Sequence, residues 1–227
     1  MNLPFLTFSC VLSLCLGSVG GADAASVAGD QDQALIRAAE GNDVALVRQL
    51  VADGADLRAR DGRGRTALMA ATYENHVESA GLLIQAGADV NAQDALQNSP
   101  LLLAGASGYL EIVKLALAAG PDFTVYNRFG GTALIPACER GHVEVVRALL
   151  QTTIDVNHVN RLGWTALLEA ILLSDGGMTH QEIVRLLLAG GANPNLADHD
   201  GVTPLRHARQ KGYRVIADLL LAAGAHE

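Results

Sequence analysis

The sequence predicts an all-α solenoid of six stacked helix–turn–helix units, and three observations carry that prediction. First, Thr66-Ala67-Leu68, Ser99-Pro100-Leu101, Thr132-Ala133-Leu134 and Thr165-Ala166-Leu167 follow one another at a period of 33 residues, and Thr203-Pro204-Leu205 comes after 38. A fixed period of this length is the signature of a stacked repeat. Second, the register aligns Leu35, Leu68, Leu101, Leu134, Leu167 and Leu205, each followed three residues later by Ala38, Ala71, Ala104, Ala137, Ala170 and Ala208. Third, half of the 227 residues are hydrophobic while only 4% are aromatic. The apolar mass is mostly Ala, Leu and Val, which suits thin layers of close-packed helices. The formal net charge of −8 argues against a generic polyanion binder, because phosphate recognition needs an excess of Lys and Arg. No nucleic-acid partner is expected.

The chain opens with a segment that reads as an export signal. Met1 to Ala22 carries no charge, and its apolar centre runs from about Leu3 to Leu16, near the length of a signal-peptide core and short for a membrane span. Gly17, Ser18, Gly20 and Gly21 then interrupt the helix, and Ala22-Asp23-Ala24 offers a small-x-small pattern, with cleavage expected between Ala24 and Ala25. The expected organisation is a signal peptide at 1–24, a linker at 25–31 and a repeat domain at 32–227, with repeats at about 32–64, 65–97, 98–130, 131–163, 164–201 and 202–227. This predicts a periplasmic protein with no stable membrane anchor after cleavage; an anchor formed by an uncleaved signal is the alternative. Cys10 and Cys15 leave with the signal, so the exported chain keeps Cys138 alone and forms no intramolecular disulfide.

Within each unit, Thr or Ser at the start of the motif supplies an N-cap oxygen, and Pro100 and Pro204 occupy the first helical position, where a missing N–H costs nothing. The alanines of the first helix let the next unit approach closely. The second helix carries apolar pairs on one face: Leu46, Val47, Leu50, Val51; Ile112, Val113, Ala116, Leu117; Val145, Val146, Leu149, Leu150; Ile183, Val184, Leu187, Leu188. Arg48, Lys114, Arg147 and Arg185 lie opposite. Gly54, Gly87, Gly120, Gly191 and Gly224 end these helices, with Thr153 as the exception. Two further departures stand out. Leu172 to Thr179 holds the five-residue excess of unit five, a longer turn bending at Gly176-Gly177. Pro136 sits four residues after Thr132, where a small kink is expected.

The period and the Thr-Pro-Leu-x-x-Ala core resemble the ankyrin repeat from about Asp32 to Glu227. The resemblance implies that connections such as Gly87-Ala-Asp-Val-Asn-Ala-Gln-Asp94 and Gly191-Ala-Asn-Pro-Asn-Leu-Ala-Asp198 form β-hairpin-like fingers that stack into a shelf, with tight turns at Asp61-Gly62 or Gly130-Gly131. It also implies that His76, His142 and His180, which share one repeat position, bond to a neighbouring loop. The chain is further similar to the small exported ankyrin proteins of Gram-negative bacteria, some of which are linked to periplasmic catalase and peroxide defence.

Catalytic and metal constellations are not expected. His158 and His199 occupy different repeat positions with no Cys or acidic cluster at ligand spacing. Cys138 aligns with Ala39 and Thr72 and reads as a buried, inert core thiol. Gly62-Arg63-Gly64 is a finger tip, not a phosphate loop. No enzyme activity, cofactor or metal follows.

The resemblance instead implies protein binding through finger tips and first-helix faces, and the residues at those tips identify a candidate surface. Leu96, Phe129 and Leu162 lie 33 apart and should form an apolar stripe across the middle fingers, with Arg128 and Arg161 aligned beside them and Tyr126 and Trp164 nearby. Apolar and aromatic anchors bordered by Arg have the composition of a binding hot spot. Arg58, Arg60, Arg63 and Arg65 in the first finger read as a solvated charge run offset by Asp56 and Asp61. The expected function is a non-enzymatic scaffold or adaptor for a partner protein, acting as a monomer. The alternatives are a small-molecule or metal carrier using the finger groove, or an accessory protein of a periplasmic stress-defence enzyme such as catalase.

Overall fold

Two helices form per unit because each motif supplies a capped start, a short apolar face and a left-handed stop. The computed structural model describes residues 21–226. In chain order the helices are α1 (Gly21–Glu40), α2 (Val44–Ala52), α3 (Ala67–Tyr73), α4 (Val77–Gln85), α5 (Pro100–Ser107) and α6 (Leu110–Ala118). They continue as α7 (Leu134–Glu139), α8 (Val143–Leu149), α9 (Ala166–Leu172), α10 (Met178–Ala189), α11 (Pro204–Gln210) and α12 (Arg214–Ala222). The odd-numbered helices pack one on the next as one layer and the even-numbered helices as a second. The signal segment expected at 1–24 lies outside the described residues as far as residue 20. Gly21 to Ala24, and the 25–31 stretch expected as a linker, lie within the backbone of α1.

All six aligned leucines and all six aligned alanines are buried. The need for small residues between layers is explicit at Gly105, where a Cβ would fall 3.0 Å from the Ala133 Cβ and 3.1 Å from its carbonyl oxygen. In the second layer Val47, Leu50, Ile112, Val113, Val145, Val146, Leu149, Ile183, Val184 and Leu187 are buried. Leu46 is exposed on the first unit, where no earlier repeat covers it among the described residues. Units are also tied by polar contacts. The Nε2–H groups of His76, His142 and His180 donate to the carbonyls of Glu40, Ala106 and Glu139 in the unit before, at 3.1, 3.2 and 3.0 Å.

Thr66, Ser99, Thr165 and Thr203 cap their helices as expected, each accepting from the amide three residues on. Unit four departs from this. In the other units the residue four beyond the cap donates its amide to the cap carbonyl, as Ala70, Leu103, Glu169 and His207 do, but Pro136 has no N–H to give. The result is a lost cap: α7 begins one position later in the motif, at Leu134, and the buried Thr132 Oγ1 makes no hydrogen bond.

The fingers contain no strand among the described residues, and each is hairpin-like in being closed by one backbone bond, such as Asp61 N–H to the Arg65 carbonyl and Asn127 N–H to the Gly131 carbonyl, both at 3.0 Å. Each tip is wound around one Asp or Asn. Oδ1 of Asp61, Asp94, Asn127, Asn160 and Asp198 accepts the amides two and four residues on. The turn thus spans five residues, Asp61–Arg65 or Asn127–Gly131, and contains Asp61-Gly62 and Gly130-Gly131. Neighbouring tips meet through isolated backbone bonds, Ala95 N–H to Arg63 O at 3.1 Å and Arg161 N–H to Phe129 O at 2.9 Å. The insertion in unit five bends at Gly176 and is pinned by unit six: the Tyr213 hydroxyl donates to the Ser174 carbonyl at 2.6 Å, and a Cβ on Gly176 would fall 2.5 Å from the Tyr213 ring.

The fourth residue of each tip takes a left-handed conformation, with φ of 73° at Gly64, 72° at Gly130, 81° at Gly163 and 73° at Gly201, but in the second finger it is Gln97, at 60°. An L side chain is strained there, whereas glycine is not. Gln97→Gly is expected to raise stability by about 1 kcal/mol, read as a higher urea midpoint at unchanged m-value; a lower midpoint would show the strain to be absent. Burial, with a smaller contribution from the Glu169 charge, pushes the fully buried Cys138 thiol well above its ordinary range. A thiol reagent should therefore modify Cys138 only after urea unfolding, and rapid labelling of the folded chain would place it at the surface.

Candidate protein-binding face

The Asx turn fixes where each tip side chain points. Leu96, Phe129 and Leu162 each stand two residues after the turn-forming Asp or Asn, with their amides held by its Oδ1, and they are 52%, 48% and 50% exposed. Trp164 stands two residues further on, half-buried, its amide bonded to Asn160 Oδ1 at 3.0 Å. Phe129, Leu162 and Trp164 form one wall of a groove of about 380 Å³, whose floor includes Leu103, Ala106, Ile135 and Pro136 from α5 and α7. Leu96 borders an adjoining groove of about 360 Å³ beside Tyr73 and Ala95.

The other predicted residues divide. Arg128 also lines the main groove and lies over the Phe129 ring at 4.8 Å. Arg161 is a clamp between fingers: its Nη1 donates to the Arg128 carbonyl at 2.9 Å while its stem covers Gly130. Tyr126 stacks on the His158 ring at a centroid distance of 4.4 Å, and His158 Nε2–H donates to the Gly130 carbonyl at 2.6 Å. The structure therefore joins Phe129, Leu162, Trp164 and Arg128, puts Leu96 in the next groove, and places Tyr126 and Arg161 outside the lining of either. The first-finger arginines are less free than a solvated run implies. Arg65 is buried between Asp61 at 2.7 Å and Glu40 at 2.9 Å, and Arg60 donates to the Gly64 carbonyl. Burial pushes the Asp61 carboxyl up, but bonds from the Arg65 amide and guanidinium and the Arg63 amide outweigh it and leave it below its ordinary value.

Two groove residues escaped the sequence reading: Glu139 and Glu169. Glu169 shares a repeat position with Arg37, Ala70, Leu103, Pro136 and His207. In the last two units this position reaches back to the tip of the finger before it. Asn160 Nδ2–H donates to Glu169 Oε1 at 2.8 Å, and His207 Nε2 bonds Asp198 Oδ2 at 2.6 Å. The pairs are matched, an amide donor to the acid and an acid to the imidazole. The available signal was a single acid within the apolar run Ala166-Leu-Leu-Glu169-Ala-Ile-Leu172.

Burial, reinforced by the nearby Glu139 charge and offset in part by the Asn160 bond, pushes the Glu169 carboxyl up to about 7 from 4.5. Asp198 moves the other way: burial raises it, but the Val202 amide, the His207 bond and charge and the Asp200 amide together bring it below its ordinary value. Among the described residues no group of three or more His, Cys, Asp or Glu is arranged to hold a metal ion, and no helix is long and apolar enough to cross a membrane.

A carboxyl whose pKa is raised by folding favours the folded state while it is protonated in both states, and that advantage is lost as pH climbs from 4.5 through about 7. Wild type and Glu169→Gln should therefore differ little in urea unfolding near pH 4, whereas near pH 8 the variant should be more stable, by on the order of 3 kcal/mol. A difference that does not change with pH would mean that Glu169 ionises like an exposed acid.

The family model described as Ankyrin repeats (3 copies) matches residues 7–94 and 101–198. Among solved structures, the ankyrin repeat domain ABAYE2397 of Acinetobacter baumannii AYE is 57% identical with a TM-score of 0.83, over 85% of this chain and 98% of that one. The ankyrin repeat protein EF0377 is 39% identical with a TM-score of 0.81, over 84% and 97%. The ankyrin repeat domain of Bcl-3, from the IkappaB protein family, is 26% identical with a TM-score of 0.77, over 85% and 86%. A curated relative, the ankyrin repeat protein YahD of Escherichia coli (strain K12), is 58% identical over 57 residues, which is 25% of this chain and 28% of YahD. With most of its length matched by the family model and its fold shared with solved members, the chain belongs to the ankyrin-repeat family.

Proposed function

We propose that the chain is a non-enzymatic interaction scaffold that holds a partner protein against its finger tips and the groove behind them, in an exported compartment. Ankyrin repeats generally mediate protein–protein interactions. The observation that carries the reading is the half-exposed stripe of Leu96, Phe129 and Leu162, with Phe129, Leu162 and Trp164 walling one groove. Large apolar side chains projecting from turns, next to an arginine over an aromatic ring, provide the anchors that dominate protein interfaces. Export rests on the uncharged, apolar Met1 to Ala22 segment and its small-x-small end, and implies a periplasmic partner. Within that reading, service to a stress-defence enzyme such as catalase is the narrower form that the likeness to exported ankyrin proteins suggests.

Affinity capture from a periplasmic fraction tests both parts. The wild type is expected to recover a protein that the Phe129→Ala/Trp164→Ala variant recovers at least about tenfold less well, the loss of two anchors worth more than 1 kcal/mol each. Equal recovery, with both proteins folded by circular dichroism, would show that the stripe is not the binding surface. Retention of the native protein in the cytoplasm on cell fractionation would end the exported reading.

A further inference from the structure

The binding-face reading leaves one feature of the groove unused: its two carboxyls have no cation. Glu169 is 5% exposed and lines the groove, and its one side-chain hydrogen bond among the described residues is from Asn160 to Oε1, so its second oxygen is left open to the groove without a protein partner. Among the described residues neither Glu169 nor Glu139 is ion-paired. The arginines on the same groove are otherwise engaged. Arg140 Nη1 donates to the Ala106 carbonyl at 2.8 Å, and Arg128 lies over the Phe129 ring. A buried carboxyl beside a second carboxyl is unfavourable unless something compensates the charge. The aromatic and aliphatic residues that line the same groove suit the stem of a long side chain rather than a hydrated ion.

Resting on the protein-binding reading above, we propose that this groove receives a Lys or Arg side chain from an otherwise apolar segment of the partner protein. The cationic head lies between Glu139 and Glu169, and the stem packs on Phe129, Leu162 and Trp164. A cation between the two acids would relieve their repulsion and draw Glu169 into its ionised form, so binding tightens as pH rises. The elements packed around α9 carry Glu139 and Cys138 on α7 with Arg140 at its end, Arg128 on the finger, His180, Glu182 and Arg185 on α10, and Arg206, His207 and Arg209 on α11, and of these only Glu139, Arg140 and Arg128 line the groove. His207 is held by Asp198, and His180 spends Nε2 on the Glu139 carbonyl. Glu139 is thus the group left to share the cation with Glu169.

A random dodecapeptide phage library panned on the full chain near pH 8 tests this. The wild type is expected to enrich a Lys or Arg flanked by apolar residues, and Glu139→Gln/Glu169→Gln is expected to lose that enrichment. The variant removes a buried acid and should fold; Glu139→Gln alone serves if it does not. The leading peptide is then resynthesised with Arg replaced by citrulline, or Lys by acetyl-lysine, and titrated against the wild type by fluorescence of Trp164, the chain's one tryptophan. The cationic form should bind at least about tenfold more tightly, and the ratio should shrink near pH 6. Enriched peptides without a basic residue, a basic preference that survives in the variant, equal affinity of the charged and neutral peptides, or no enrichment at all would each overturn the proposal. A periplasmic partner lost by Phe129→Ala/Trp164→Ala but kept by Glu139→Gln/Glu169→Gln overturns the cation site alone, whereas a partner lost by neither overturns the binding face.

Discussion

Everything in this molecule depends on burial between neighbours. No unit has enough apolar surface to form a core of its own, and the aligned leucines and alanines bury only because the next unit covers them. That constraint sets the residue sizes. Alanine recurs at the contact position and glycine appears at residue 105, since anything larger would push layers apart that must meet at van der Waals distance. It also frees the tips: a turn that projects from a layered array contributes little to the core, so its side chains can carry apolar groups that the interior does not need.

The fold was legible because period, cap and glycine spacing are local signals that repeat, and each repetition adds weight to the same register. Departures were legible in position but not in consequence. Pro136 could be seen to remove a donor, but whether the helix bends or loses its cap is decided by packing on both sides of α7, and here the helix starts late and leaves Thr132 without a partner. The fingers were legible as hairpin-like turns, but their mechanism was not: one Asp or Asn accepts two amides and so holds a five-residue turn.

The candidate site was half legible. Phe129, Leu162 and Leu96 announced themselves through a spacing of 33, and exposure at the tips follows from turn geometry. Arg161, which shares that spacing with Arg128, and Tyr126, which lies beside the stripe, do not share its result, because a neighbouring carbonyl in one case and a neighbouring imidazole in the other captured the side chain. Glu139 and Glu169 sit on first helices, and a stripe drawn along tips alone does not look down at the floor. An acid set among Ala and Leu is unusual enough in a buried helix to mark a functional position on physical grounds.

The pairing of Asn160 with Glu169 and of Asp198 with His207 runs across the seams between repeats, from the last residues of one unit to the first helix of the next. Units are therefore not interchangeable bricks. A chimera spliced at the usual seam would separate a donor from its acceptor, and carrying the tip of unit five in front of α9 would set one carboxylate against another. The smallest transplantable module in this part of the chain spans finger and following helix together, so the practical cut belongs in the middle of a repeat, between its two helices.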